Sequence, residues 1–155
     1  MGLNINQLPT AATSILATDK MYLGRSPFGA TDDRYILGSS IIAQFADSVY
    51  ANVTTATQAI DATARYIANY VSGLLTFTLP LSADVGSCIE IIGSSSSGWT
   101  IAQNSSQIIH INSVATTTGI GGSVSSTNRY NSIKLVCILA NTECQAVPNG
   151  NLTVV

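Results

Sequence analysis

From Leu74 to Val155, apolar residues recur at alternate positions in short runs set between clusters of Ser, Thr, Asn and Gly. Leu75, Phe77 and Leu79 alternate with Thr76 and Thr78, while Ile133, Leu135, Cys137 and Leu139 share one face opposite Lys134, Val136 and Ile138. A period of two sends successive side chains to opposite faces of a strand, so these runs predict strands with one face turned to a core. Strands are expected at 74–79, 88–92, 99–102, 108–112, 132–140 and 152–155, with turns at 82–86, 93–98, 104–106, 116–128 and 148–151. Short strands at this spacing predict a mainly β fold, an antiparallel sandwich or jelly-roll-like domain.

Charge content then bears on the exterior of such a domain. Of 155 residues, 9% are charged and 46% hydrophobic, whereas soluble domains average about 25% charged. Contact with other subunits accounts for a surface this poor in charge, so oligomerisation is expected. The length fits one domain. Apolar runs span only a few residues, far short of the roughly 18 that cross a bilayer, so no membrane partner is expected. The first residues lack a basic and apolar leader pattern, and Asn6 breaks the myristoylation pattern begun by Met1 and Gly2. With a net charge of −2 and six Lys or Arg scattered along the chain, no basic footprint for nucleic acid forms. Cys88, Cys137 and Cys144 form no CxxC pair and fit reduced thiols in a core, although a Cys137–Cys144 bridge stays open.

The first part of the chain is organised differently. Residues 1–38 show spaced apolar anchors, among them Leu8, Ile15, Leu23, Phe28 and Tyr35, between turn formers such as Pro9, Gly24 and Pro27. An irregular stretch this long predicts a docking arm laid over a neighbouring subunit or another protein. Residues 39–52 form a connector in which Ser39 or Ser40 caps a short helix over 41–50, with Ile41, Ile42, Phe45 and Val49 on one face. The β domain is expected over 53–155. Within it, residues 53–69 favour β through their Thr and aromatic content, while Ala56, Gln58 and Ala59 pull towards helix, and both states stay open.

The segments YIAN, LLTFTLPLSADVG, IEIIGSSSSGWTIAQNSSQIIHI, GGSVSSTNRY, IKLVCILANTECQAV and GNLTVV, spanning residues 66–155, resemble a module of tailed-bacteriophage virion proteins, especially fibre-like and capsid-decorating ones. The opening QLPTAATSILATDKMYLG is similar, more loosely, to the start of phage structural proteins. The resemblance implies a homotrimeric, non-enzymatic virion protein made in the host cytoplasm, with no cofactor. The leading expectation is a decoration or cement protein whose arm residues Leu8, Ile15, Leu23, Phe28 and Tyr35 dock on the major capsid protein, with Ile109, His110, Ile111 and Leu135 expected at the trimer interface. The alternative is a short tail or head fibre that binds a host-surface receptor or glycan through loops such as 94–98 or 116–128. The serine run Ser94 to Ser97 departs from the module.

Chemistry-bearing residues are sparse. His110, the only histidine, lies between Ile109 and Ile111, where packing or an interface is the expectation and a Ser-His-Asp arrangement is not. Glu90 and Glu143 are the only glutamates, too few for a carboxylate-pair hydrolase, and Glu90 is expected to face solvent or an ion partner. Asp19, Asp32 and Asp33 lack the ligand alternation of a calcium loop and are expected in turns beside Arg34. Gly119, Gly121 and Gly122 are followed by no GK[ST], so they mark a strand connection. Trp99 and the tyrosines could stack on sugars, but core or interface positions are the expectation.

Overall fold

A computed structural model describes Lys20–Tyr22, Tyr35–Leu37 and Val49–Val155. The chain divides after Ser48 into two units. In the first, β1 (Lys20–Tyr22) pairs antiparallel with β2 (Tyr35–Leu37), Lys20 opposite Leu37. The remainder of the expected arm, with Leu8, Ile15, Leu23 and Phe28, lies outside the described residues, as does the expected helix as far as Ser48. No helix occurs among the described residues.

The second unit is mainly β and contains two sheets. β3 (Ala51–Val53), β5 (Arg65–Ala68), β7 (Cys88–Gly93), β9 (Ile108–Ile111), β10 (Val114–Ala115), β12 (Ser132–Leu139) and β13 (Glu143–Asn149) form one, in the order β10-β9-β13-β12-β7-β5-β3. β4 (Thr57–Ala59), β6 (Leu75–Thr78), β8 (Trp99–Ala102), β11 (Ser123–Ser126) and β14 (Leu152–Val154) form the other, in the order β14-β11-β8-β6-β4.

Both sheets are mixed, which corrects the antiparallel expectation. From β3 to β8 the chain alternates strand by strand between the sheets, so β3, β5 and β7 stack in parallel in one while β4, β6 and β8 stack in parallel in the other. A parallel pair needs a long crossover, ordinarily helical. Here a strand of the opposite sheet serves as that crossover. Later strands are antiparallel to their neighbours, except for β13 beside β9.

The inward alternate residues explain why the sheets share one core. Leu75, Phe77, Trp99, Ile101 and Val124 come from the five-stranded sheet, and Tyr66, Ile89, Ile91, Ile109, Ile133 and Leu135 from the seven-stranded one. Burying each large side chain contributes about 1.5–3 kcal/mol. The Tyr66 and Phe77 rings meet at 5.4 Å between centroids, and the Tyr66 hydroxyl accepts the Asp61 N–H at 2.9 Å.

One polar node ties the strands together around the fully buried Trp99. The Asn131 carbonyl accepts both the Trp99 indole Nε1–H, at 3.1 Å, and the Gly93 N–H, at 2.9 Å. Its side-chain oxygen accepts the N–H groups of Thr127 and Asn128 and so closes the loop before β12. Gly93 permits this approach: a Cβ there would stand 2.8 Å from the Asn131 carbonyl oxygen and 3.1 Å from the Trp99 indole nitrogen. Gly93→Ala is therefore expected to cost about 1–3 kcal/mol by urea denaturation, as overpacking does. Gly121→Ala, where a Cβ meets nothing within 4 Å, is expected to be neutral by the same measurement.

Candidate functional site

Strand alternation that fills the core also sets the two outer faces, and they differ sharply in chemistry. On the five-stranded sheet, register aligns Thr57, Thr76, Thr100, Ser125 and Thr153 in one row across all five strands. Ser125 donates its hydroxyl to Thr100 Oγ1 at 2.7 Å within that row. A face of hydroxyls is satisfied by water.

The outer face of the seven-stranded sheet mixes apolar and polar side chains, with Asn52, Ser132, Asn149, Gln145 and His110 set among its apolar residues. Ile67 lies beside Ile92 in one row, and Cys88 beside Val136 in another. Between them runs a single charged row in which Arg65 neighbours Glu90, and Glu90 neighbours Lys134. Arg65 Nε stands 3.8 Å from Glu90 Oε2, so Glu90 is ion-paired. Tyr50 lies over the same row, its ring 5.9 Å from the Arg65 guanidinium, and hydrogen bonding to Glu90 raises its pKa above the usual tyrosine value. Val147, 59% exposed, faces Lys134 across the ladder, and Ile138, 47% exposed, projects where the β12–β13 register shifts between Cys137 and Leu139.

A shallow groove of about 430 Å³ opens at the β10 side of this face, lined by His110, Asn112, Val114, Ile138, Glu143 and Gln145 among others. His110 Nε2 and Glu143 Oε2 are 3.1 Å apart, and both side chains are about one-third exposed. Parallel pairing of β13 with β9 produces this meeting, because it sets Gln145 beside His110 and brings Glu143, two pairs earlier and on the same face, within reach. The groove therefore presents hydrogen-bonding groups beside apolar Val114 and Ile138. No cluster of three or more His, Cys, Asp or Glu suited to holding a metal occurs among the described residues.

Among the residues expected at a trimer interface, Ile109, Ile111 and Leu135 are 0%, 4% and 1% exposed and lie in the core of the β unit. Their apolar surface is thus already used, and only His110 of that group faces outward. Tyr35 opens β2, and the other arm residues are outside the described set. Trp99 is core, which removes it from any sugar-stacking role. The serine run caps β5: the N–H groups of Ser94 and Ser95 donate to the Ala68 carbonyl, and the Ser97 hydroxyl donates to Val71. The loop expected at 116–128 contains β11, a correction to its reading as one long turn. Sequence periodicity could not identify Ile67, Ile92 and Val136 as outward, since an outward isoleucine and an inward one differ only by the parity of the strand.

The His110–Glu143 pair is about one-third open to solvent, so it contributes little to folding. Glu143→Gln is expected to change unfolding free energy by less than about 1 kcal/mol in urea titrations, as exposed ion pairs do. Compared with protein-family models and with curated proteins, the chain matches none.

Proposed function

We propose that this protein is a non-enzymatic structural subunit of a bacteriophage virion, a homotrimer that decorates and cements the capsid. The observation that carries the assembly part is the set of outward apolar side chains on the seven-stranded sheet. Ile67, Ile92, Val136, Ile138 and Val147 point outward there, among polar Ser132, Asn149 and Gln145 and one row of both charge signs. Buried between subunits, such area gains about 25 cal/mol per Å². The mixed row of Arg65, Glu90 and Lys134 lets one copy meet another without like-charge repulsion and sets the register of contact.

The virion assignment rests on the sequence resemblance over residues 66–155, and the capsid contact on the apolar anchors of residues 1–38. In this reading the arm grips the major capsid protein, and three arms on one trimer multiply that grip through effective concentration. Reinforcement follows from bridging capsomers, with no bond made or broken.

A second reading, a short tail or head fibre that binds a host-surface glycan, is favoured by the groove at His110. Asn112, Gln145 and Glu143 supply donors and acceptors there, and Val114 supplies an apolar wall. Glycan binding by the purified protein that is lost on Gln145→Ala would select the fibre reading.

Two measurements test the cement reading. Sedimentation should give three times the 16.1 kDa chain mass, and Val136→Asp should yield a folded monomer with unchanged far-ultraviolet dichroism, since a charge in a closed apolar interface costs several kcal/mol. A trimer that survives Val136→Asp would place the interface elsewhere. Electron cryo-microscopy of undecorated phage capsids mixed with the protein should reveal threefold density spread over the shell, and removal of residues 1–38 should abolish it. Absence of shell binding by the full chain would overturn the cement assignment.

A further inference from the structure

Cys137 and Cys144 stand directly opposite each other on the antiparallel strands β12 and β13. The kind of pair they form follows from where the Cys137 backbone bonds go. Its N–H donates to the Ser87 carbonyl at 2.9 Å, and its carbonyl accepts the Gly86 N–H at 2.8 Å, so both groups are used on the β7 side. Cys137 and Cys144 are therefore a non-hydrogen-bonded pair, the closer of the two pair types, with Cα atoms about 4.5 Å apart. That separation falls at the near end of the disulfide range of about 4.4–6.8 Å. Residues directly opposite in a ladder send their side chains to the same face, so the two sulfurs lie together at one end of the core beside Leu79, Ala83 and Ile89. Both thiols are free in this structure.

We propose that Cys137 and Cys144 are a reversible redox pair that closes as a cross-strand disulfide when the protein meets a small-molecule disulfide oxidant. Cys144 is the more accessible of the two and makes the first attack. Its thiolate displaces one thiolate from glutathione disulfide, leaving a mixed disulfide on Cys144. The Cys137 sulfur, losing its proton to solvent, then attacks the Cys144 sulfur and expels the second glutathione thiolate. Two protein thiols lose two electrons and two protons, and one glutathione disulfide becomes two glutathiones. Burial, with the Cys137 sulfur nearby as a second cause, pushes the Cys144 thiol up to about 11, so closure is slow at neutral pH and accelerates with alkalinity. Cys88 takes no part: it lies opposite Val136, one residue from Cys137 and hence on the other face of the sheet.

Linking these residues pins β13 to β12 beside Glu143, the carboxylate that meets His110 in the groove. The closed loop is short, so the link acts more on position than on chain entropy.

The test uses the full-length protein, reduced, freed of reductant, and incubated with glutathione disulfide between pH 7.5 and 9.5. Expected is the loss of two hydrogens in intact mass, a Cys137–Cys144 peptide after digestion, a still alkylatable Cys88, and a rate rising about tenfold per pH unit below the Cys144 pKa. Cys137→Ser should stop at the glutathione adduct on Cys144, and Cys88→Ser should close like the parent chain. Three alkylatable thiols after prolonged exposure at pH 9.5, a stable adduct on Cys144 of the parent chain, or a bridge through Cys88 would each overturn the proposal.

Discussion

The Asn131 carbonyl, shared between the Trp99 indole and the Gly93 amide, is the contact on which the arrangement of both sheets depends. Trp99 begins β8 in the five-stranded sheet and Gly93 ends β7 in the seven-stranded one, while Asn131 precedes β12. A single acceptor thus joins the end of one winding to the start of the next and to the central strand of the seven-stranded sheet. Left without it, the indole N–H would be a buried unpaired donor, a cost of about 1–3 kcal/mol. Around this node the large side chains Leu75, Phe77, Ile91 and Ile101 complete a core without exposure.

A core filled from both sheets leaves each with an outer face free to be specialised. One face carries the row of hydroxyls from Thr57 to Thr153, and the other sets Ile67, Ile92 and Val136 beside polar neighbours and a single row of charge. At the loop ends Gln107 donates to the Pro80 and Asn141 carbonyls and accepts the Asn104 amide, while Gln103 donates to the Thr117 and Gly119 carbonyls and its buried Oε1 has no partner.

Much of this was legible in the sequence where alternation was strong. The strands around Phe77, Ile91, Ile101, Ile109 and Leu135 follow their apolar parity directly. β11 escaped because Val124 is its single apolar residue, and β13 because Glu143, Gln145 and Pro148 mask a strand whose inward positions are Cys144 and Ala146. Pro148 is tolerated there because β9 pairs with β13 only as far as Ala146, so no ladder bond is demanded from the proline nitrogen on that side. Parallel pairing was invisible because alternation looks the same in parallel and antiparallel strands. The spacing gives no repeat either: Ala51 aligns with Tyr66, while Arg65 aligns with Glu90, so successive windings differ in length. The His110–Glu143 meeting depends on that same hidden topology.

Alternate winding also couples the two sheets mechanically. Each pass from β3 to β8 lays one strand in each sheet, so a one-residue slip in the seven-stranded sheet must be absorbed within a few linker residues or passed on to the five-stranded sheet. Between Val53 and Thr57 only three residues separate the strands, which leaves almost no slack. Shear applied to the outer face of the seven-stranded sheet is then resisted by the register of both sheets together, and the unit behaves under lateral load as one plate of double thickness.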